Sequence, residues 1–126
     1  MLKKTQWDLQ KIIEIVYLFA VTALSLFLKI RFVRNIPTKP VFDFAAYQEI
    51  ASNIFNNLGH TYGGQHIAFQ GMGYPTALGF IYKLAGNNDE MTAKIFNIVL
   101  SMLTLIIIYL ILIKITQSRL IIYGAY

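Results

Sequence analysis

Ile95-Phe96-Asn97-Ile98-Val99-Leu100-Ser101-Met102-Leu103-Thr104-Leu105-Ile106-Ile107-Ile108-Tyr109-Leu110-Ile111-Leu112-Ile113 is a run of 19 residues without a charge, closed by Lys114. At about 1.5 Å per residue, a helix of that length matches a bilayer core roughly 30 Å thick. Just upstream, Gly86-Asn87-Asn88-Asp89-Glu90 supplies a start signal. Asn88 suits an N-cap, and Asp89 and Glu90 fall in the first turn, where the helix dipole favours acids. The pattern predicts a transmembrane helix over 89–115.

The composition agrees. Of 126 residues, 56% are apolar, 14% aromatic and only 13% charged, against about 25% charged in soluble domains. That is too little charge to cover a soluble globule, and too much Ile, Leu and Phe for a solvated coil. With no cysteine in the chain, disulfide frameworks, thiolate zinc sites, cysteine nucleophiles and iron–sulfur clusters are all excluded. The net charge of +5 sits at the edges of apolar runs, as in membrane proteins. It is not clustered on a polar face, so no nucleic-acid partner is expected.

A second apolar stretch, Ile15 to Leu28, is uncharged between Glu14 and Lys29. It reaches spanning length over about 12–33 if Lys29 and Arg31 snorkel toward the headgroups. A signal peptide would also begin basic and turn apolar, but Lys29-Ile30-Arg31-Phe32-Val33-Arg34 holds no small-x-small cleavage site. After Gln117-Ser118-Arg119 a third run, 120–126, begins and is too short to span. The chain therefore reads as the N-terminal piece of a longer multi-pass protein, carrying the start of a third membrane helix. Lys3, Lys4, Lys11, Lys114 and Arg119 would share one side, against Arg34, Lys39 and Lys83 in the long intervening segment. The positive-inside rule then sets the N-terminus in the cytoplasm and residues of about 34–88 outside the cell membrane.

The expected fold class is all-α and polytopic, with the long extracytoplasmic loop carrying structure of its own. Tyr47, Ile50, Ala51, Ile54, Phe55 and Leu58 form one helical stripe, and Gln48, Glu49, Ser52, Asn53, Asn56 and Asn57 the other. An amphipathic juxtamembrane helix over about 43–58 follows, stopped by Gly59 and lying on a membrane surface or against other spans. His60 to His66 is glycine-rich and reads as irregular. Pro75 then opens a short re-entrant-like helix over about 75–85, ended by Gly86-Asn87-Asn88.

Chemistry in this loop rests on few residues. Its carboxylates at 34–88 are Asp43 and Glu49, and Glu49 falls on the polar stripe as a solvated side chain. Asp43 stands between Phe42 and Phe44 at the head of the helix. A carboxylate with apolar flanks can serve as a general base. Equally, Asp43 can be an N-cap accepting the amides of Ala45 or Ala46. Arg31, Arg34 and Lys39 form a basic edge that either grips phosphate oxygens or simply anchors the interface. His60 and His66 match no metal-ligand spacing, and Gly63-Gly64 lacks the Lys-Ser/Thr of a P-loop. No metal or other cofactor is called for, and a divalent cation has no support in these residues. Tyr62, Phe69, Tyr74 and Tyr82 are interface aromatics, with sugar stacking a further role for Tyr62 or Tyr74.

One order of motifs runs through these elements. It starts with a basic N-terminus, a span, and Arg31, Arg34, Pro37 and Pro40. Asp43-Phe44-Ala45-Ala46-Tyr47 then leads a short helix, followed by Ala51, Gly59, Gly73-Tyr74-Pro75, Gly86 and a second span with an early Asn97. This order resembles the start of the GT-C glycosyltransferases. It is particularly similar to the bacterial enzymes described as dolichyl-phosphate-mannose-protein-mannosyltransferase-like. The resemblance covers about residues 11–115. It implies a polyprenyl-phosphate-linked sugar donor and an extracytoplasmic acceptor: a protein, a lipid or a polysaccharide. Matched position for position, Asp43 would be the catalytic acid of the first extracytoplasmic loop, with Arg31, Arg34, Lys39, Tyr47 and Tyr74 on the substrates. Many relatives follow their aspartate with a second acid, whereas Phe44 follows here, which puts a metal-assisted variant in doubt. The family's remaining parts lie downstream, so this chain by itself is expected to be inactive. Two other readings remain: a non-catalytic small membrane subunit, and part of a polysaccharide polymerase or flippase.

Overall fold

The computed structural model describes residues 2–67, 71–116, 118 and 122–124, with side chains at Leu9 and from Lys11 onward. The elements are α1 (Leu2–Asn35), α2 (Asp43–Phe55), β1 (Thr61–Tyr62), β2 (Gln65–His66), α3 (Gly73–Ala85) and α4 (Glu90–Ile115). They divide into two compact units, one made of Met1–Asn35 with Ile98–Tyr126, the other of Ile36–Asn97.

Lys11–Asn35, and Glu90–Ile115 whose residues from Ile98 onward belong to the first unit, are helices long and apolar enough to cross a membrane. Their apolar side chains, Ile15, Phe19, Phe27, Leu103 and Ile107 among them, are exposed along their length. α1 starts ten residues before the expected 12–33 span because the polar N-terminal segment holds neither Gly nor Pro. It stops at Asn35 since Pro37 biases Ile36 away from helical backbone. Two tyrosines of the apolar helices make hydrogen bonds. Tyr109 Oη donates to Glu14 Oε1 at 3.3 Å, and Tyr17 Oη donates to the Tyr123 carbonyl at 2.8 Å. Most of the run at 120–126 lies outside the described residues; within it, Ile122, Tyr123 and Gly124 are helical. Arg119 and Phe69 also lie outside them.

The second unit is built on the crossing of α2 and α3. Ala51 on α2, Leu78 and Tyr82 on α3, and Ala93 at the start of α4 form the buried core, with Phe55, Tyr74 and Phe96 packed at its edge. Burying a side chain such as Leu78 contributes about 1.5–3 kcal/mol. Ala46, Ile50 and Ala51 are the buried positions of α2, so the amphipathic stripe exists but faces α3 rather than a lipid surface. Leu58, expected on that stripe, is exposed.

Three boundaries differ from expectation, each for a local reason. α2 ends at Phe55, not 58, because Asn57 takes a left-handed φ of 63°. The Leu58 amide then donates to the Asn53 carbonyl at 2.8 Å and the Asn57 amide to that of Ile54 at 3.1 Å. That pair of bonds is a Schellman stop with asparagine, not Gly59, in the left-handed position. The chain is mostly helical, as expected, but the stretch at 60–66 is not irregular. Thr61 pairs with His66 and Tyr62 with Gln65 in a small antiparallel hairpin. Gly63 and Gly64 sit at its turn with φ of 57° and 79°, the double positive φ that a two-residue hairpin turn requires. α3 begins at Gly73, two residues before the expected 75, with Pro75 buried in its first turn, where helix amides have no intrahelical partner.

The cap of α4 is Asp89, not Asn88: Asp89 Oδ1 accepts the Thr92 amide at 2.7 Å. These two bonds to Thr92, from its side chain and its amide, hold the Asp89 carboxyl below its ordinary value. Asn88 instead donates to Ser52 Oγ on α2 at 2.7 Å.

Candidate functional site

Phe42, just before α2, has φ 52° and ψ −128°. A bulky residue adopts that backbone at a cost of about 1–3 kcal/mol. Its carbonyl accepts the amides of Ala45 at 3.0 Å and Ala46 at 3.3 Å. Those are the amides that a capping Asp43 would have taken, so the capping reading of Asp43 is overturned. The Asp43 carboxylate is exposed. It has no hydrogen bond or ion pair among the described residues, and Phe42 and Phe44, themselves exposed, do not enclose it.

Val41, two residues before Asp43, and Phe44, directly after it, line an open groove of about 210 Å³ in the second unit. Its polar wall holds Lys39, Gln48, Tyr74, Glu90, Lys94 and Asn97. Tyr74 organises it. The Tyr74 Oη donates to Asn97 Oδ1 at 3.1 Å, its ring stacks on Phe96 at 6.0 Å, and Tyr47 meets it edge-on at 5.8 Å. Tyr47 is half-buried behind Tyr74 and does not line the groove. Glu90 Oε1 lies 2.8 Å from Lys94 Nζ, without the alignment of a hydrogen bond. Those two charges offset each other. Lys39 is exposed and has no ion-pair partner among the described residues, so the groove carries one uncompensated positive charge.

The candidate cations fall in different units. Lys39 belongs to the groove of the second unit. Arg31 and Arg34 lie at the end of α1 in the first unit, lining a separate hollow with Phe27, Ile30 and Asn35. The loop residues are placed as follows. His60 Nδ1 donates to the Ile67 carbonyl at 2.9 Å, while its Nε2 is buried without a partner. His66 is exposed on β2. Among the described residues no three His, Asp or Glu side chains gather as a metal site. Glu49 is not merely solvated: its Oε1 accepts the Gly63 amide at 2.8 Å, tying the hairpin turn to α2. Tyr82 lies in the core, not at an interface; burial first, then the neighbouring Tyr74, Asp89 and Glu90, pushes its phenol up to about 12.

Gln48, Glu90 and Lys94 escaped the sequence reading. A signal was present: Glu90, Lys94 and Asn97 recur at helical spacing and form a polar stripe at the head of an otherwise apolar helix. No protein-family model, curated protein or solved structure matches the chain.

Proposed function

We propose that this chain is the N-terminal part of a multi-pass GT-C-type glycosyltransferase of the cell membrane. In this reading the enzyme transfers a sugar from a polyprenyl-phosphate carrier to an acceptor hydroxyl outside the cytoplasm. Residues 36–97 would face outward, and the two long apolar helices would flank them as spans. The observation that carries the reading is the state of Asp43. It stands exposed at the head of α2, with no partner among the described residues, in the loop where the resembled family keeps its essential acid. A carboxylate left out of its own fold's hydrogen bonds is available for chemistry.

The chemistry balances simply. Asp43 takes the proton of the acceptor hydroxyl as its oxygen attacks the anomeric carbon. The carbon–oxygen bond to phosphate breaks, and the polyprenyl phosphate leaves with that electron pair. Lys39, the uncompensated cation of the groove, suits the phosphate oxygens. Tyr74 presents a ring to the sugar face. Glu90 is a poorer candidate for the base, since Lys94 already holds it at 2.8 Å.

The test is Asp43→Asn in the full-length enzyme. Sugar transfer is expected to be abolished while membrane insertion is retained, and Glu90→Gln is expected to keep measurable transfer. Undiminished transfer by the Asp43 variant would end the assignment.

A further inference from the structure

The stripe of α2, expected on a membrane surface or against other spans, is covered by α3, which leaves open what would hold the carboxylate end of α2 near a membrane. Immediately before and after Asp43, three apolar side chains stand out from the unit: Val41 at 59%, Phe42 at 91% and Phe44 at 62% exposed. Phe42 keeps its left-handed backbone, with φ 52°, although it makes no core contact that would require a bulky side chain there. The fold gains nothing from an aromatic at this position, and glycine would hold the same backbone without strain.

We propose that Val41, Phe42 and Phe44 form a hook that inserts into the headgroup boundary of the bilayer and fixes the depth of the α2 N-terminus. The proposal rests only on the membrane part of the reading above, not on the role of Asp43. Two observations identify lipid as the occupant. The hook begins six residues after Asn35, the last residue of a helix apolar enough to span, so the chain keeps it close to the bilayer in sequence. Between Glu14 and Asp43 lie Lys29, Arg31, Arg34 and Lys39 and no acid. Cations close in sequence to exposed aromatics suit anionic headgroups over acyl chains. A strained turn that lifts Phe42 clear of the unit gives its ring the reach to enter that layer.

The test uses the full-length protein with every native tryptophan replaced by phenylalanine, Trp7 included. Tryptophan is then introduced one site at a time at Phe42, at the exposed hairpin residue His66, and at Leu103 within α4. Each variant is reconstituted in phosphatidylcholine–phosphatidylglycerol vesicles with bromine on the acyl chains, either near the headgroup or near the chain middle. The expected result is blue-shifted emission at position 42, strong quenching by shallow bromine, and iodide quenching several-fold weaker than at 66. Position 103 is expected to respond to deep bromine. If 103 responds but 42 behaves like 66, the hook is wrong and the membrane reading stands. Blue-shifted emission at 42 without bromine quenching would mean a protein surface covers it, such as a second copy, and would also overturn the hook. Loss of quenching at 103 would remove the spanning helix and the hook together. Val41→Trp serves as the second probe if Phe42→Trp does not fold.

Discussion

Gly79 of α3 presses against Ile54 of α2 at a distance no side chain can share. A β-carbon at 79 would fall 2.7 Å from Ile54 Cγ2, 2.8 Å from Ile54 Cβ and 3.1 Å from the Ala51 carbonyl oxygen. Ile54 Cγ2 could turn away, but Ile54 Cβ and the backbone oxygen cannot. We expect Gly79→Ala to destabilise the 36–97 unit by about 1–3 kcal/mol, the usual range for forced overpacking. Thermal unfolding in detergent, followed by circular dichroism, measures it. Adding Ile54→Ala should recover part of the loss; full additivity of the two losses would refute the contact.

The Glu49 carboxylate holds the Gly63 amide at 2.8 Å from a neighbouring helix. Glu49→Ala should speed hydrogen exchange at the Gly63 amide while leaving exchange in α2 and α3 unchanged. Equal protection in the variant would show that the turn stands on its two glycines alone.

Asp89 gives α4 an acid-sensitive first turn. Its carboxyl is held below the ordinary value of 3.8 by Thr92, so the folded state favours the ionised form. The stabilising contribution is therefore full above that ordinary value and fades as pH falls through the lower native one. Acid titration of wild type and Asp89→Asn should give stability curves that differ at neutral pH and converge below pH 3.8. Parallel curves across the whole range would contradict the cap.

At the other end of the scale, Tyr82 is pushed up to about 12 from 10.0, chiefly by burial. The unfolded chain then loses the phenolic proton first, so stability is intact below pH 10 and declines between 10 and about 12. Tyr82→Phe should flatten that alkaline decline and change little at pH 7. An unchanged alkaline limb would mean that another group drives it.

Much of this architecture was legible along the chain. Hydropathy runs mark the two apolar helices, and the 3.6-residue stripe through Ile50, Ala51 and Ile54 marks α2, because burial and helical period leave a direct imprint on residue order. What covers that stripe did not show, since the fit of Gly79 into α2 is a property of two segments at once. The hairpin was hidden because paired strands of two residues are too short for an alternating pattern. The stop of α2 passed from Gly59 to Asn57 because asparagine also tolerates left-handed backbone. At the site, Asp43 and Lys39 stood out as isolated charges, and Tyr74 through its Gly-Tyr-Pro context. Glu90 reads in sequence only as part of a helix start, and Lys94 carries no mark of a site; folding brings both to the groove of Lys39 and Tyr74.

The Asn88–Ser52 hydrogen bond has a mechanical consequence. Ser52 lies nine residues along α2 from Asp43, about 14 Å of stiff helix at 1.5 Å per residue. Asn88 directly precedes the capped first turn of α4, so the two helices are geared together at their polar ends. A tilt at the start of α4 would swing the aspartate like the tip of a lever.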